Sequence, residues 1–225
     1  MTRGIVVDIF DEIDEDLRAE RAQQLLKRYG GVIVAIVLLI VAAAGGWQAW
    51  RWWEARRDLS AAGAYLTAMS AADRLGPEPS SGRAEAIAGF EHVGRTAAEG
   101  YATLARLRAA ALKADAGDLR GAAALWDQVA ADDAADPLLR DLASLMWVEH
   151  QLDNGDPALL ETRLKPLSTP DNPWHPLALE AQGLLDMKTG KTEQAKEVFR
   201  RLAQDATAPE GVRGRANGLL NRLGG

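Results

Sequence analysis

Residues 176–209 read "PLALEAQGLLDMKTGKTEQAKEVFRRLAQDATAP", and this stretch decides the fold. The break "TGK" at 189–191 separates two helical patterns, so the chain doubles back on itself. Gly183 falls where the first helix must approach the second most closely. Gly190 turns the chain, Ala195 is the small residue at the crossing, and Phe199 fills the space between one hairpin and the next. A lone hairpin of this kind leaves an apolar face that only a neighbour can cover.

Matching neighbours occur upstream. Residues 116–137, "AGDLRGAAALWDQVAADDAADP", align Gly117 with Gly190, Ala122 with Ala195 and Trp126 with Phe199. Residues 83–93, "RAEAIAGFEHV", offer Ala86 and Phe90. The small residues Ala86, Ala122, Ala158 and Ala195 stand 36, 36 and 37 residues apart. In its small residue, its Ala-x3-Phe spacing and its terminal proline, the unit resembles the tetratricopeptide repeat. Its departures are Leu179 for the usual tryptophan, Asp186 for the tyrosine, a slightly late Pro209, and a period longer than the usual value of about 34. Thr162 stands where Phe90, Trp126 and Phe199 stand in the other units, which predicts a differently packed third hairpin. The expected fold is all-α: a solenoid of about three to four such hairpins, closed by a capping helix in 209–225.

Ahead of the repeats, residues 30–50, "GGVIVAIVLLIVAAAGGWQAW", carry no charged side chain. As a helix, these 21 residues reach roughly 32 Å, about the thickness of a bilayer's hydrocarbon core. The run is followed by an aromatic cluster. At 100° per residue Trp47, Trp50 and Trp53 sweep about 120° of surface and Trp52 lies on the far side, so they form no single buried stripe. Tyr29 and these four tryptophans suit the two interfaces of a transmembrane helix, with Lys27, Arg28, Arg51, Arg56 and Arg57 reaching outward. Seven acidic residues among the 29 that precede the run argue against a cleaved signal peptide. The expected plan is an acidic amphipathic segment at 1–29, a membrane helix with its tryptophan collar at 30–53, and a repeat domain at 54–225.

The acidic segment sets Ile5, Ile9, Ile13 and Leu17 on one face, with Asp8, Asp11, Glu12 and Asp16 crowding the others. Anionic headgroups would repel it, so a protein partner or plain solvation suits it better than a lipid surface. Arg18, Arg21, Lys27 and Arg28 before the span against Arg51, Arg56 and Arg57 after it favour a cytoplasmic N-terminus, by four to three. That margin leaves a cytosol-facing repeat domain open.

Little here suggests chemistry. The chain has 26 Lys and Arg against 32 Asp and Glu, a net charge of −6, and no basic surface for nucleic acid. With no cysteine there is no disulfide, thiol nucleophile or Cys-ligated zinc. His92, His150 and His175 are isolated, the acids Asp132, Asp133 and Asp136 read as a solvated helix end, and no serine sits in a nucleophile elbow. The expectation is a protein without catalytic, metal or cofactor residues. Glu91 with His92, and Glu149 with His150, are expected on helix surfaces.

The start "DIFDEIDEDLRAERAQQLLKRYG", the single span with its tryptophan-rich exit and the repeat domain together resemble the YfgM-like family, ancillary subunits of the bacterial Sec translocon. That resemblance implies an inner-membrane protein with a cytoplasmic N-terminus and a periplasmic domain. Implied partners are the SecYEG channel, a membrane-anchored periplasmic chaperone and newly exported polypeptides. An adaptor for envelope assembly or cell division is the rival role that the residues leave open.

Overall fold

The computed structural model describes residues 9–75 and 81–224. Among them every regular element is an α-helix. The chain divides into two compact units, Met1–Arg56 and Arg57–Gly225.

In the first unit the described residues belong to α1, which spans Ile9–Asp73. Ile5 and Asp8 of the acidic segment lie outside the described residues. Helix α1 continues through positions 30 and 54 without a break. Its apolar stretch is long and apolar enough to cross a membrane, and none of that stretch is buried. A core helix of a soluble domain would hide such a surface. The features of this helix fit a single-pass anchor and equally a signal sequence.

The second unit begins with residues 57–73 of α1 and adds α2 (Ser81–Thr96), α3 (Glu99–Asp115), α4 (Leu119–Ala130), α5 (Pro137–Gln151), α6 (Pro157–Leu167), α7 (His175–Lys188), α8 (Thr192–Gln204) and α9 (Glu210–Arg222). Local chemistry sets many of these boundaries. Asp118, Asp136 and Asp156 precede α4, α5 and α6, and their carboxylates accept from the backbone N–H of Gly121 (2.9 Å), Leu138 (2.8 Å) and Ala158 (3.1 Å). Pro137 and Pro157 open the next turn, where a missing N–H costs nothing. Gly117 and Gly190 end α3 and α7 at φ +83° and +78°, a conformation that disfavours a Cβ. The following N–H groups, of Asp118 and Lys191, then close onto the carbonyls of Lys113 (2.9 Å) and Asp186 (2.8 Å).

One boundary carries no such punctuation. Between α2 and α3 stand only Ala97 and Ala98, and Ala98 is extended at ψ 160°. Here packing makes the turn: a Cβ on Gly94 would lie 3.1 Å from Cγ of Arg106, so α2 and α3 approach to near-backbone contact.

Residues 57–73 pair with α2, α3 with α4, α5 with α6 and α7 with α8, and α9 covers the last pair. Three apolar clusters hold the stack. Ala68, Phe90, Val93, Ala105 and Ala109 form the first, with the Phe90 ring 5.5 Å from Tyr65. Trp126 lies at the centre of the second, and Phe199 with Val198, Leu202 and Val212 makes the third. Phe90, Trp126 and Phe199 are all fully buried. Each contributes on the order of 2–3 kcal/mol through burial.

The third hairpin departs from the alignment. Ala158, expected at the helix crossing, is exposed in the first turn of α6, and Thr162 is exposed as well, its hydroxyl donating to the Ala158 carbonyl at 2.8 Å. Leu160, Leu164 and Leu167 are buried instead. The packing positions are thus shifted two residues along α6, about 200° around the helix. With Asp156 capping and Pro157 at the first position, the buried face starts at Leu160, and leucines fill the places that alanine and an aromatic ring fill elsewhere.

Candidate interaction face

Helices α3, α5, α7 and α9 touch in sequence along one side of the array, α3 with α5, α5 with α7 and α7 with α9. The backbones of α2, α4, α6 and α8 approach one another less closely, and α4 and α6 meet through the Asp127–Arg163 ion pair at 2.6 Å. The row that packs more closely lies on the inside of the curve, so α3, α5, α7 and α9 form the inner wall.

Side chains from three of these helices converge at the C-terminal end of the wall. Glu180 of α7 is 7% exposed and receives a two-pronged bond from Arg215 of α9, Nε to Oε1 at 2.5 Å and a terminal nitrogen to Oε2 at 2.6 Å. A buried carboxylate demands such a partner, and the planar guanidinium satisfies both oxygens at once. The interaction holds the Arg215 pKa above its ordinary value. Glu149 of α5 stands near this pair. Burial pushes its carboxyl above the usual glutamate range against the pull of His150 and Arg215, and Glu180 adds to the effect. Beside the pair, Leu184, Arg215, Gly218, Leu219 and Arg222 line an open groove of ≈ 420 Å³ between α7 and α9.

Asp186 is the second buried acid of α7. It accepts from Gln182 at 3.1 Å and lies 3.9 Å from Lys191, which itself bonds Glu161 at 2.6 Å. These links tie α7 to the turn before α8 and to α6. They are framework.

Several expected residues lie in the core. Ala86, Ala122 and Ala195 are buried without residual exposure, and Gly183 is packed against Phe199. The acids Asp132 and Asp133 pair with Arg106 and Arg140 at 3.0 and 2.9 Å, and Asp136 is the cap already described. His150 packs against Trp126 at 4.6 Å and its Nδ1 donates to the Met146 carbonyl at 2.9 Å, so it is half-buried where an exposed surface was expected. In the first unit Tyr29, Trp47, Trp50, Trp52 and Trp53 are all exposed. The rings of Trp50 and Trp53 lie 5.6 Å apart, and the Arg56 guanidinium sits 3.9 Å over Trp52.

Helical hairpins stacked in sequence, with Gly183 under the Phe199 ring and α3, α5, α7 and α9 touching in a row, are a helical-repeat architecture. The profile described as tetratricopeptide repeat-like domain matches residues 23–220. The chain belongs to the tetratricopeptide repeat-like family. No curated protein and no solved structure matches it. A tetratricopeptide-like domain is a protein-interaction module, and in this one the converging charges and the groove lie on the inner wall.

The sequence places Glu149 on a helix surface, where the structure has it half-buried, and does not single out Glu180 or Arg215. Glu180 was detectable in principle, since it interrupts the apolar series Leu177, Leu184 on one helical face. A charge within such a stripe signals a buried partner, but nothing local points to Arg215, 35 residues on.

Proposed function

We propose that the chain is a membrane-anchored interaction module, an ancillary subunit of the Sec translocon whose tetratricopeptide-like domain assists chaperone handover of exported proteins in the periplasm. The plan that serves this role is an acidic segment at 1–29 on the cytoplasmic side, a span at 30–53 with Tyr29, Trp47, Trp50, Trp52 and Trp53 at its interfaces, and the repeat domain beyond. The observation that carries the reading is the combination of an unburied apolar helix with an inner wall that presents an apolar groove and open charge. Tethering beside a channel raises the local concentration to roughly the millimolar range, so weak contacts to emerging chains suffice. SecYEG, a membrane-anchored periplasmic chaperone and exported polypeptides are the partners of this proposal.

The test is protease protection with tags at both ends, in intact cells, outer-membrane-permeabilised cells and spheroplasts, followed by in-cell crosslinking. Loss of the C-terminal tag once protease reaches the periplasm, with crosslinks to Sec components, is the expected result. Protection of the domain until the inner membrane is lysed makes it a cytosol-facing scaffold. Crosslinks to division or envelope-assembly proteins without Sec components would replace the export role.

A further inference from the structure

Glu149 is half-buried, and among the described residues it makes no hydrogen bond and no ion pair. Its charged neighbours are Glu180 and Arg215, together with His150, whose Nδ1 is committed to the Met146 carbonyl. Arg215 in turn is committed to Glu180 through two bonds. Arg215 is therefore already paired, and the Glu149 carboxylate beside that pair has no ion-pair partner of its own.

The groove beside it supplies what a long cationic side chain needs next. Leu184 and Leu219 form apolar walls, and a Cβ on Gly218 would meet nothing within 4 Å, so the floor is open. Arg222 closes the far end, seven residues or about 10 Å beyond Arg215 along α9, and it too makes no hydrogen bond or ion pair among the described residues. The opposite end is lined by Glu180 and Arg215, the pair that Glu149 neighbours.

We propose that the groove between α7 and α9 takes an extended partner segment that sets a lysine or arginine side chain against Glu149 and an apolar side chain on Leu184 and Leu219. The bound cation completes the charge centre, and the apolar neighbour displaces water from the leucines. Arg222 repels a cation placed at its end, so the basic residue stays at the α5 side. The inference deepens the interaction-module reading and rests on it.

The full chain in phosphatidylcholine nanodiscs, whose neutral surface does not collect basic peptides, is titrated with three fluorescein-labelled peptides of equal length, built from Lys–Leu, Glu–Leu and Lys–Ser pairs. The Lys–Leu peptide is expected to bind tightest. Glu149→Gln should weaken it about tenfold, as befits loss of one charged contact, and Leu219→Ser should weaken it as well. Glu85→Gln on α2 should change nothing. Glu149→Gln removes an unpaired half-buried charge, so its helical circular dichroism should be retained and its thermal midpoint at neutral pH should rise rather than fall. Equal binding of the Lys–Leu peptide by the Glu149→Gln chain, or binding of Glu–Leu as tight as Lys–Leu, overturns the proposal. So does a dimer that dissociates on Glu149→Gln, since a second copy would then be the occupant. In-cell crosslinks that persist in the Glu149→Gln chain sink this inference alone, whereas a chain that crosslinks to no protein at all sinks the interaction-module reading.

Discussion

A Cβ built on Gly183 falls 2.7 Å from Cε1 and Cζ of Phe199, so the phenyl ring of α8 lies directly on the backbone of α7. Gly183→Ala must push the ring aside, an overpacking cost of about 1–3 kcal/mol. The better helix propensity of alanine returns at most about 1 kcal/mol. A net loss of about 1–2 kcal/mol is expected in urea unfolding. Adding Phe199→Leu, which vacates the contact, should make the alanine at 183 nearly neutral relative to Phe199→Leu alone.

Removing Arg215 leaves Glu180 buried and unpaired. Arg215→Ala should cost roughly 2–3 kcal/mol, below the full cost of breaking a fully buried pair because Arg215 is itself half-exposed. Replacing both, as Glu180→Leu with Arg215→Ala, should recover most of the loss. Denaturant midpoints of the single and double variants decide it, and a double variant as unstable as Arg215→Ala would refute the account.

Glu149 makes a pH-dependent contribution whose sign follows from its raised pKa. The native state holds this proton more tightly than the unfolded chain, so stability from this group is present below the ordinary glutamate value and is lost as pH rises through the raised one. Glu149→Gln should therefore have the higher thermal midpoint at neutral pH, and the gap should close on acidification. Asp118 and Asp205 are shifted the other way, by the Gly121 N–H and by Thr207 respectively, and lose their contribution as pH falls. They act alike in both chains and cancel in the comparison.

The register of α6 is tested by two paired substitutions. Ala122→Leu meets a fully packed crossing and should cost on the order of 1–3 kcal/mol, whereas Ala158→Leu on an exposed turn should stay within about 0.5 kcal/mol. Leu164→Ala should cost about 2–5 kcal/mol and Thr162→Ala close to none. Equal costs at 122 and 158 would restore the unshifted alignment.

The repeat was legible because its cause is local and recurrent. Gly117 and Gly190 must adopt positive φ, Asp118, Asp136 and Asp156 cap the helices they precede, and a small residue beneath Phe90, Trp126 or Phe199 is a steric requirement that returns every 36 or so residues. Spacing alone misplaced the third unit, since Ala158 satisfies the period yet a two-residue shift along α6 turns it to solvent. The break at Ala97 and Ala98 was hidden for a similar reason, as no residue there refuses a helix and only the approach of α3 to Gly94 makes the turn.

By itself, then, the sequence determined the helical hairpins, their approximate number and the apolar stretch at 30–50, all of which follow from periodicity and from residues that permit or forbid a backbone conformation. Tertiary structure alone decided that Glu149, Glu180 and Arg215 meet. They stand on three helices, 31 and 35 positions apart in the chain. A charge centre of that kind arises from the stacking of α5, α7 and α9, because only the stack removes water from the carboxylates and brings the guanidinium within bonding distance.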